Sequence, residues 1–262
     1  MPALPLKLEA NHVPLFLTSR KVLTEPLTKK MAKRADKLLK LFNENSSPAI
    51  RVFADYLKQI KNGSVEVSYK RKKNGFGRSF TEEGTTNWTG LKRSLRNTLL
   101  AGEALDFDLK NAHASILLNI CLANNVKCDN LKTFVDTRDQ LAEGLMEAFS
   151  IPKKTVKTLF ATLLFGGDIT RWQMDNGLPA SVPVSPFWDN FRREITEITT
   201  KIKEANASVF KSLSHETKET VYNENGKFLA NYLQHQEFVV VDKAMRFVAL
   251  EGCFDYRIDI CK

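Results

Sequence analysis

Two carboxylates stand two residues apart in the segment ALDFDLKNAH, at Asp106 and Asp108. Leu105, Phe107 and Leu109 alternate with Ala104, Asp106 and Asp108, the pattern of a short strand with one apolar face and one carboxylate face. On a strand, residues i and i+2 point the same way, about 6–7 Å apart. Two acids so placed raise each other's pKa unless a cation lies near them. Their hard oxygen donors suit Mg2+ or Mn2+. An exposed strand carrying two solvated acids has the same pattern, so the pair does not decide by itself.

A second set lies in PKKTVKTLFATLLFG, residues 152–166. Advancing ~100° per residue from Lys153 puts Lys157 at ~40°, Ala161 at ~80° and Phe165 at ~120°. Val156, Leu159, Phe160 and Leu163 fall between ~240° and ~340° and form a core stripe. The other face offers two ammonium groups one turn apart, then an aromatic ring beside Gly166-Gly167. Such lysines repel each other unless they share an anion, and a triphosphate would satisfy both. The ring could stack on a base or simply pack in the core. A third set, in GKFLANYLQHQEFVVVDKAMRFVAL (226–250), places Gln234 on one helical face with Phe238, Val241 and Met245. A glutamine among apolar positions calls for a hydrogen-bond partner. In the stretch 74–102, Arg78 follows a glycine turn, and Lys92, Arg93 and Arg96 cluster at helical spacing. Arginine clusters of this kind grip phosphates, although ordinary surface charge looks the same.

The elements that position these groups follow from periodicity. Residues 27–44 carry Met31, Ala35, Leu38, Leu39 and Phe42 on one helical face with lysines opposite. Asn45-Ser46-Ser47-Pro48 breaks that helix, and a second spans roughly 49–61 before Asn62-Gly63. SVEVSYKRKK (64–73) reads as a strand, and Asn74-Gly75 as a hairpin turn. Residues 1–20 read as an irregular arm. Asn111 is placed to cap a helix over 112–124, Pro152 opens one ending at Gly166-Gly167, and SVPVSP (181–186) is a loop. Further helices are expected over 187–206 and 226–250, then a strand at YRIDIC (256–261). This order suggests an α+β fold. Residues 1–75 form a basic, mainly helical N-terminal module, and residues 76–262 the remainder.

Composition bounds the rest. The chain of 262 residues is 43% hydrophobic and 26% charged, which argues against a disordered or collagenous protein. Its net charge of +9 fits a polyanionic partner. No apolar run approaches the ~18 residues of a membrane span, and the start lacks a signal-peptide pattern. None of Cys121, Cys128, Cys253 and Cys261 makes a CxxC pair, so a zinc knuckle is not expected. An intracellular, reducing setting fits best.

In order and spacing these motifs resemble the superfamily of family A DNA polymerases and single-subunit phage RNA polymerases. Gly77-Arg78 looks like that family's opening motif, DFDLKNAH (106–113) like its first catalytic motif, and Lys153, Lys157, Phe165 and Gly166 like its second. Gln234 and Ala244-Met245 match a third. The form DxDxxNxH and the Gly166-Gly167 pair are closer to the transposon–virus polymerases of mobile elements and large DNA viruses, over roughly residues 76–262.

The resemblance implies a right-hand palm with helical fingers and a template-directed nucleotidyltransferase acting by two-metal phosphoryl transfer. Its substrates would be nucleoside triphosphates and primed DNA or another nucleic-acid template. It implies that Asp106, with the Phe107 carbonyl, binds Mg2+ or Mn2+, and that Asp108 belongs to the same set. Lys157 and Lys153 would contact the triphosphate, and Phe165 and Gly166 would lie by the nascent base pair. Asn111 occupies the position that screens the ribose. It is neither the glutamate of the DNA polymerases nor the glycine of the RNA polymerases, so sugar preference stays open. Arg78, Lys92, Arg93, Arg96 and Gln234 would contact nucleic acid. Residues 1–75 read as a reduced thumb or a contact for a replicative helicase, from charge and position.

One motif is not found: a second aspartate on a hairpin, expected just after YRIDIC, where the sequence ends at Lys262. The two ions need carboxylates from both sides. Asp255 or Asp259 could substitute, although Asp259 reads better as an exposed strand residue, and Glu237, on the third helix, reads as structural. The alternatives are an inactive nucleic-acid-binding scaffold or a fragment. A DxD glycosyltransferase is a further reading, but it leaves the spacing of Lys153, Lys157 and Phe165 unexplained.

Overall fold

The structure, a computed structural model, describes residues 6–8, 20–42, 47–70, 80–103, 109–179, 185–215 and 223–250. The Asn74-Gly75 turn, Arg78, Asp106, Phe107, Asp108, most of the 181–186 loop, Asp255, Asp259 and the YRIDIC strand lie outside them. The chain is mostly helical with one three-stranded sheet among the described residues, the coarse α+β character expected. Its contacts divide it into two units, Val13–Asp108 with Val239–Lys262, and Met1–His12 with Leu109–Phe238. No helix among the described residues is long and apolar enough to cross a membrane.

In the first unit, β1 (Arg20–Pro26) pairs antiparallel with β2 (Ser64–Lys70), from Arg20 opposite Lys70 to Pro26 opposite Ser64. β3 (Phe80–Thr81) pairs with the far edge of β2. Between β1 and β2 run α1 (Lys29–Leu41) and α2 (Pro48–Lys58). Thr28 and Ser47 cap them, each side-chain oxygen accepting from the N–H three residues on, and Pro48 occupies the first helical turn of α2. Asn62 and Gly63, both left-handed, turn the chain into β2.

Val65, Val67 and Tyr69 alternate inward from β2 and are buried. They pack with Met31, Ala35, Ile50, Phe53 and Tyr56, and with Leu91, Leu95 and Leu99 from the turn and helix α3 (Arg93–Leu100) that follow. Each fully buried side chain of this kind contributes roughly 1.5–3 kcal/mol. Residues on both sides of position 75 therefore share one core. The buried Glu25 carboxylate accepts the Trp88 N–H, and Arg34 donates to the Leu99 carbonyl at the end of α3.

The second unit is all helix among its described residues. It contains α4 (Ala112–Ala123), α5 (Asp129–Phe149), α6 (Lys153–Leu164), α7 (Ile169–Asp175), α8 (Pro186–Ala205), α9 (Ala207–His215) and α10 (Glu224–Leu250) as far as Phe238. An aromatic cluster holds α5, α6 and α8 together. Phe134 meets Phe160 and Phe191 at 5.1 and 5.0 Å between ring centroids, and Phe160 stacks on Trp188. The buried Glu194 of α8 caps α5, accepting from the Asn130 N–H, the Asn130 amide and the Leu131 N–H. α5 bends at Thr137, whose φ of −117° and ψ of 20° leave the helical region. Part of the N-terminal arm also belongs here: Asn206 donates to the Leu6 carbonyl and accepts the Leu8 N–H, and Tyr232 donates to Leu6 as well.

Candidate nucleotide site

The described part of the site is built in the second unit from three helix ends. Asn111 stands at the start of α4, where its carbonyl accepts the Ser115 N–H. Its backbone is left-handed, at φ 54°, and its side chain makes no capping bond. The expected cap position is right, but the capping bond is not formed. Asparagine is among the few residues that adopt this region readily. Two residues on, His113 projects from the first turn of α4.

α6 keeps the expected faces. Val156, Leu159, Phe160 and Leu163 are buried, while Lys153 and Lys157 are exposed. Its end forms a Schellman turn: Gly167 N–H donates to the Thr162 carbonyl and Gly166 N–H to that of Leu163, with Gly166 at φ 74°. A Cβ on Gly167 would sit 2.4 Å from the Thr162 methyl, so the second glycine is required for contact as the first is for conformation. Phe165, half-buried at this turn, meets the His113 ring edge-on with centroids 5.7 Å apart.

α10 supplies the third side. Asn223 donates from its amide to the Phe165 carbonyl and accepts the Gly226 N–H. A Cβ on Gly226 would lie 2.1 Å from that carbonyl. Three turns along, Glu237 Oε2 lies 3.4 Å from His113 Nε2, both side chains being largely buried. Gln234 of the same helix is half-buried and Phe238 buried; nothing is described of the Met245 side chain.

A carboxylate on α5 completes the cationic side. Asp139 receives Lys153 Nζ at 3.4 Å on one oxygen and Lys110 Nζ at 3.5 Å on the other. Those two ammonium groups hold its carboxyl below the usual range, Lys153 contributing more. Asp139 lines a cavity of about 250 Å³ with Lys110, Asn111, Thr137 and Arg138.

His113, Phe165 and Gly166 are thus brought together beside Asn111 at the C-terminal end of α6; Lys153 lies at its other end, about 18 Å along the helix, where it meets Lys110 across Asp139. Lys92 and Arg93 are exposed at the start of α3, and Arg96 is half-buried one turn on, all in the first unit. Among the described residues no group of three or more histidine, cysteine, aspartate or glutamate side chains could hold a metal. Sequence reasoning passed over Lys110, Asp139, Asn223 and Gly226. Asn223-x-x-Gly226 is a helix-start pattern that was there to be read. Nothing local marks Asp139 as the partner of lysines 14 and 29 residues away.

Comparison with known proteins finds a relative in Sputnik virophage that carries the provisional name helicase V13, 25% identical over 165 residues. The match covers 62% of this chain, and the chain spans one fifth of the relative's length. No family model and no solved structure matches.

Proposed function

We propose that the chain is a template-directed nucleotidyltransferase of the transposon–virus polymerase type. A primer 3′-hydroxyl would attack the α-phosphate of a bound nucleoside triphosphate. The observation that carries this reading is the meeting of His113, Phe165 and α10. His113 from the first motif, Phe165 from the second, and Asn223 and Glu237 from the start and body of the helix that carries Gln234 lie together although far apart in sequence, which supports the reading. In this reading Lys157 and Lys153 hold the triphosphate, Phe165 and Gly166 border the nascent base pair, and Asn111 screens the sugar. Lys92, Arg93, Arg96, Arg78 and Gln234 track nucleic acid.

Asp106 and Asp108, with the Phe107 carbonyl, offer the hard oxygen donors that suit Mg2+ or Mn2+. An ion bound there would stabilise charge on the attacking and leaving oxygens. In this reading α4–α10 carry the nucleotide side of the site, and the Asp106 and Asp108 motif lies outside the described residues. The virophage relative's name supports work on nucleic acid. The sequence contains no Gly-x-x-x-x-Gly-Lys-Ser/Thr phosphate loop, the element that holds ATP in helicase motors, so the relative's activity is not transferred to this segment.

The test is nucleotide incorporation on primed and unprimed templates, with dNTPs and rNTPs, in Mg2+ and in Mn2+. We expect template-dependent extension that falls at least ~100-fold in Asp106→Ala and Lys157→Ala. A folded chain that extends nothing under any combination would overturn the reading.

A further inference from the structure

Both oxygens of Asp139 are engaged by ammonium groups that reach it from other elements, Lys110 from the turn before α4 and Lys153 from the first turn of α6. Asp139 itself lies two residues beyond the Thr137 bend, which opens α5 beside the Asn111 turn. The side chains are 79% (Lys110), 52% (Asp139) and 56% (Lys153) exposed, so solvent screens both pairs and either lysine can change partners at little cost. Two ammonium groups on one carboxylate leave a net positive charge. Arg138 adds another at the cavity wall, its guanidinium 5.1 Å from the Phe160 centroid. The other acid there, Asp136, is already paired with Lys132.

A phosphate chain brings more charge and more acceptor oxygens than one carboxylate, and it outcompetes a screened acid for two lysines. The cavity, about 250 Å³, suits a phosphate chain and is far too small for a duplex. It opens against Asn111, the residue read as facing the sugar.

We propose that Lys110 and Lys153 form a triphosphate subsite around Asp139 at the edge of this cavity, and that Asp139 is a resident anion which occupies the subsite until a nucleotide displaces the carboxylate. The proposal rests on the nucleotidyltransferase reading and extends it. Lys110 becomes a nucleotide-binding residue, and Asp139 a positioning residue that keeps two like charges together in the empty site.

The probe is inorganic tripolyphosphate, titrated calorimetrically into the full chain without metal. Lys110→Ala is expected to weaken binding about tenfold, and Asp139→Asn to tighten it several-fold. Lys127→Ala, which removes a lysine paired elsewhere with Asp129, is expected to change nothing. Opposite signs are the signature, because a merely structural ion pair would respond alike to loss of either partner. If both variants weaken binding, or neither alters it, the subsite is wrong. Nucleotide incorporation separates the two claims. Extension without these shifts leaves the polymerase reading standing and overturns the subsite, whereas the shifts without extension keep the anion subsite and overturn the polymerase reading.

Discussion

His113 stands edge-on to Phe165, 5.7 Å between ring centroids and 76° between planes, joining a residue from the first motif to one from the second across 52 positions of sequence. The edge of one ring against the face of another is a favourable aromatic geometry. Glu237 reaches His113 from a third helix, so the ring cannot turn without disturbing either neighbour. Phe165 is also held through its backbone, by the Asn223 amide.

The close approach behind that hold predicts an inverted glycine effect. Alanine for glycine inside a helix normally stabilises by about 0.5–1 kcal/mol. Gly144, in α5 with nothing within 4 Å of its missing Cβ, should behave so. Gly226→Ala should instead cost roughly 1–3 kcal/mol, because its methyl would meet the Phe165 carbonyl. Urea unfolding of the two variants should give shifts of opposite sign.

Glu194 serves three donors at the start of α5 from a site 7% exposed. Glu194→Ala leaves those buried N–H groups without their acceptor and should destabilise the protein by roughly 2–3 kcal/mol. Glu194→Gln, which keeps one acceptor oxygen, should fall between. Equal midpoints for the alanine variant and the parent would refute the cap.

Asp168 caps α7 through the Arg171 N–H and pairs with Arg192. The Arg171 N–H is the main cause of its lowered pKa; Arg192 adds to it, and partial burial opposes it. A carboxyl whose folded pKa lies below its unfolded value stabilises fully above the ordinary aspartate range, about 3.9, and loses that stability as pH falls through the folded pKa. Asp168→Asn keeps a capping oxygen but removes this titration. Its stability should therefore decline less steeply than the parent's below about pH 4. Equilibrium unfolding from pH 6 to 2.5 measures the difference in slope.

Burial pushes the Cys121 thiol up to about 12, and the neighbouring Cys128 thiol is raised as well. The thiolate is the reactive form. In the native protein at pH 8, iodoacetamide should therefore leave Cys121 unmodified, while the urea-unfolded chain reacts there readily. Peptide mapping by mass spectrometry reads the site directly. Native alkylation of Cys121 at the unfolded rate would contradict its burial.

Features with a short-range cause were legible in the sequence. The faces of α6, the alternation of β2 and the glycine stop after Phe165 follow from periodicity and turn chemistry within a dozen residues. α5 was not foreseen. Its apolar positions are interrupted by the bend at Thr137, which spoils a single helical stripe, and its N-terminus is capped by a residue 64 positions away. The left-handed Asn111 was legible only as a cap, since the same side chain suits both roles. The expected division at residue 75 followed a change in charge and turn signals. The shared core of Val67 with Leu95 and Leu99 depends on tertiary contacts that local pattern does not encode.

The three hydrogen bonds that Leu6 and Leu8 make with Asn206 and Tyr232 close loops of 198 to 226 residues. Closing so long a loop costs only about 0.6 kcal/mol more per doubling of length, so it weighs little on the final stability. It weighs on timing. A chain emerging from the ribosome has made Leu6 and Leu8 long before their acceptors and donors exist, and this seam can be sewn only after Tyr232 has been synthesised. The arm's attachment is thus among the last native contacts of this unit to form during biosynthesis, although Leu6 is translated 200 positions before its Asn206 partner.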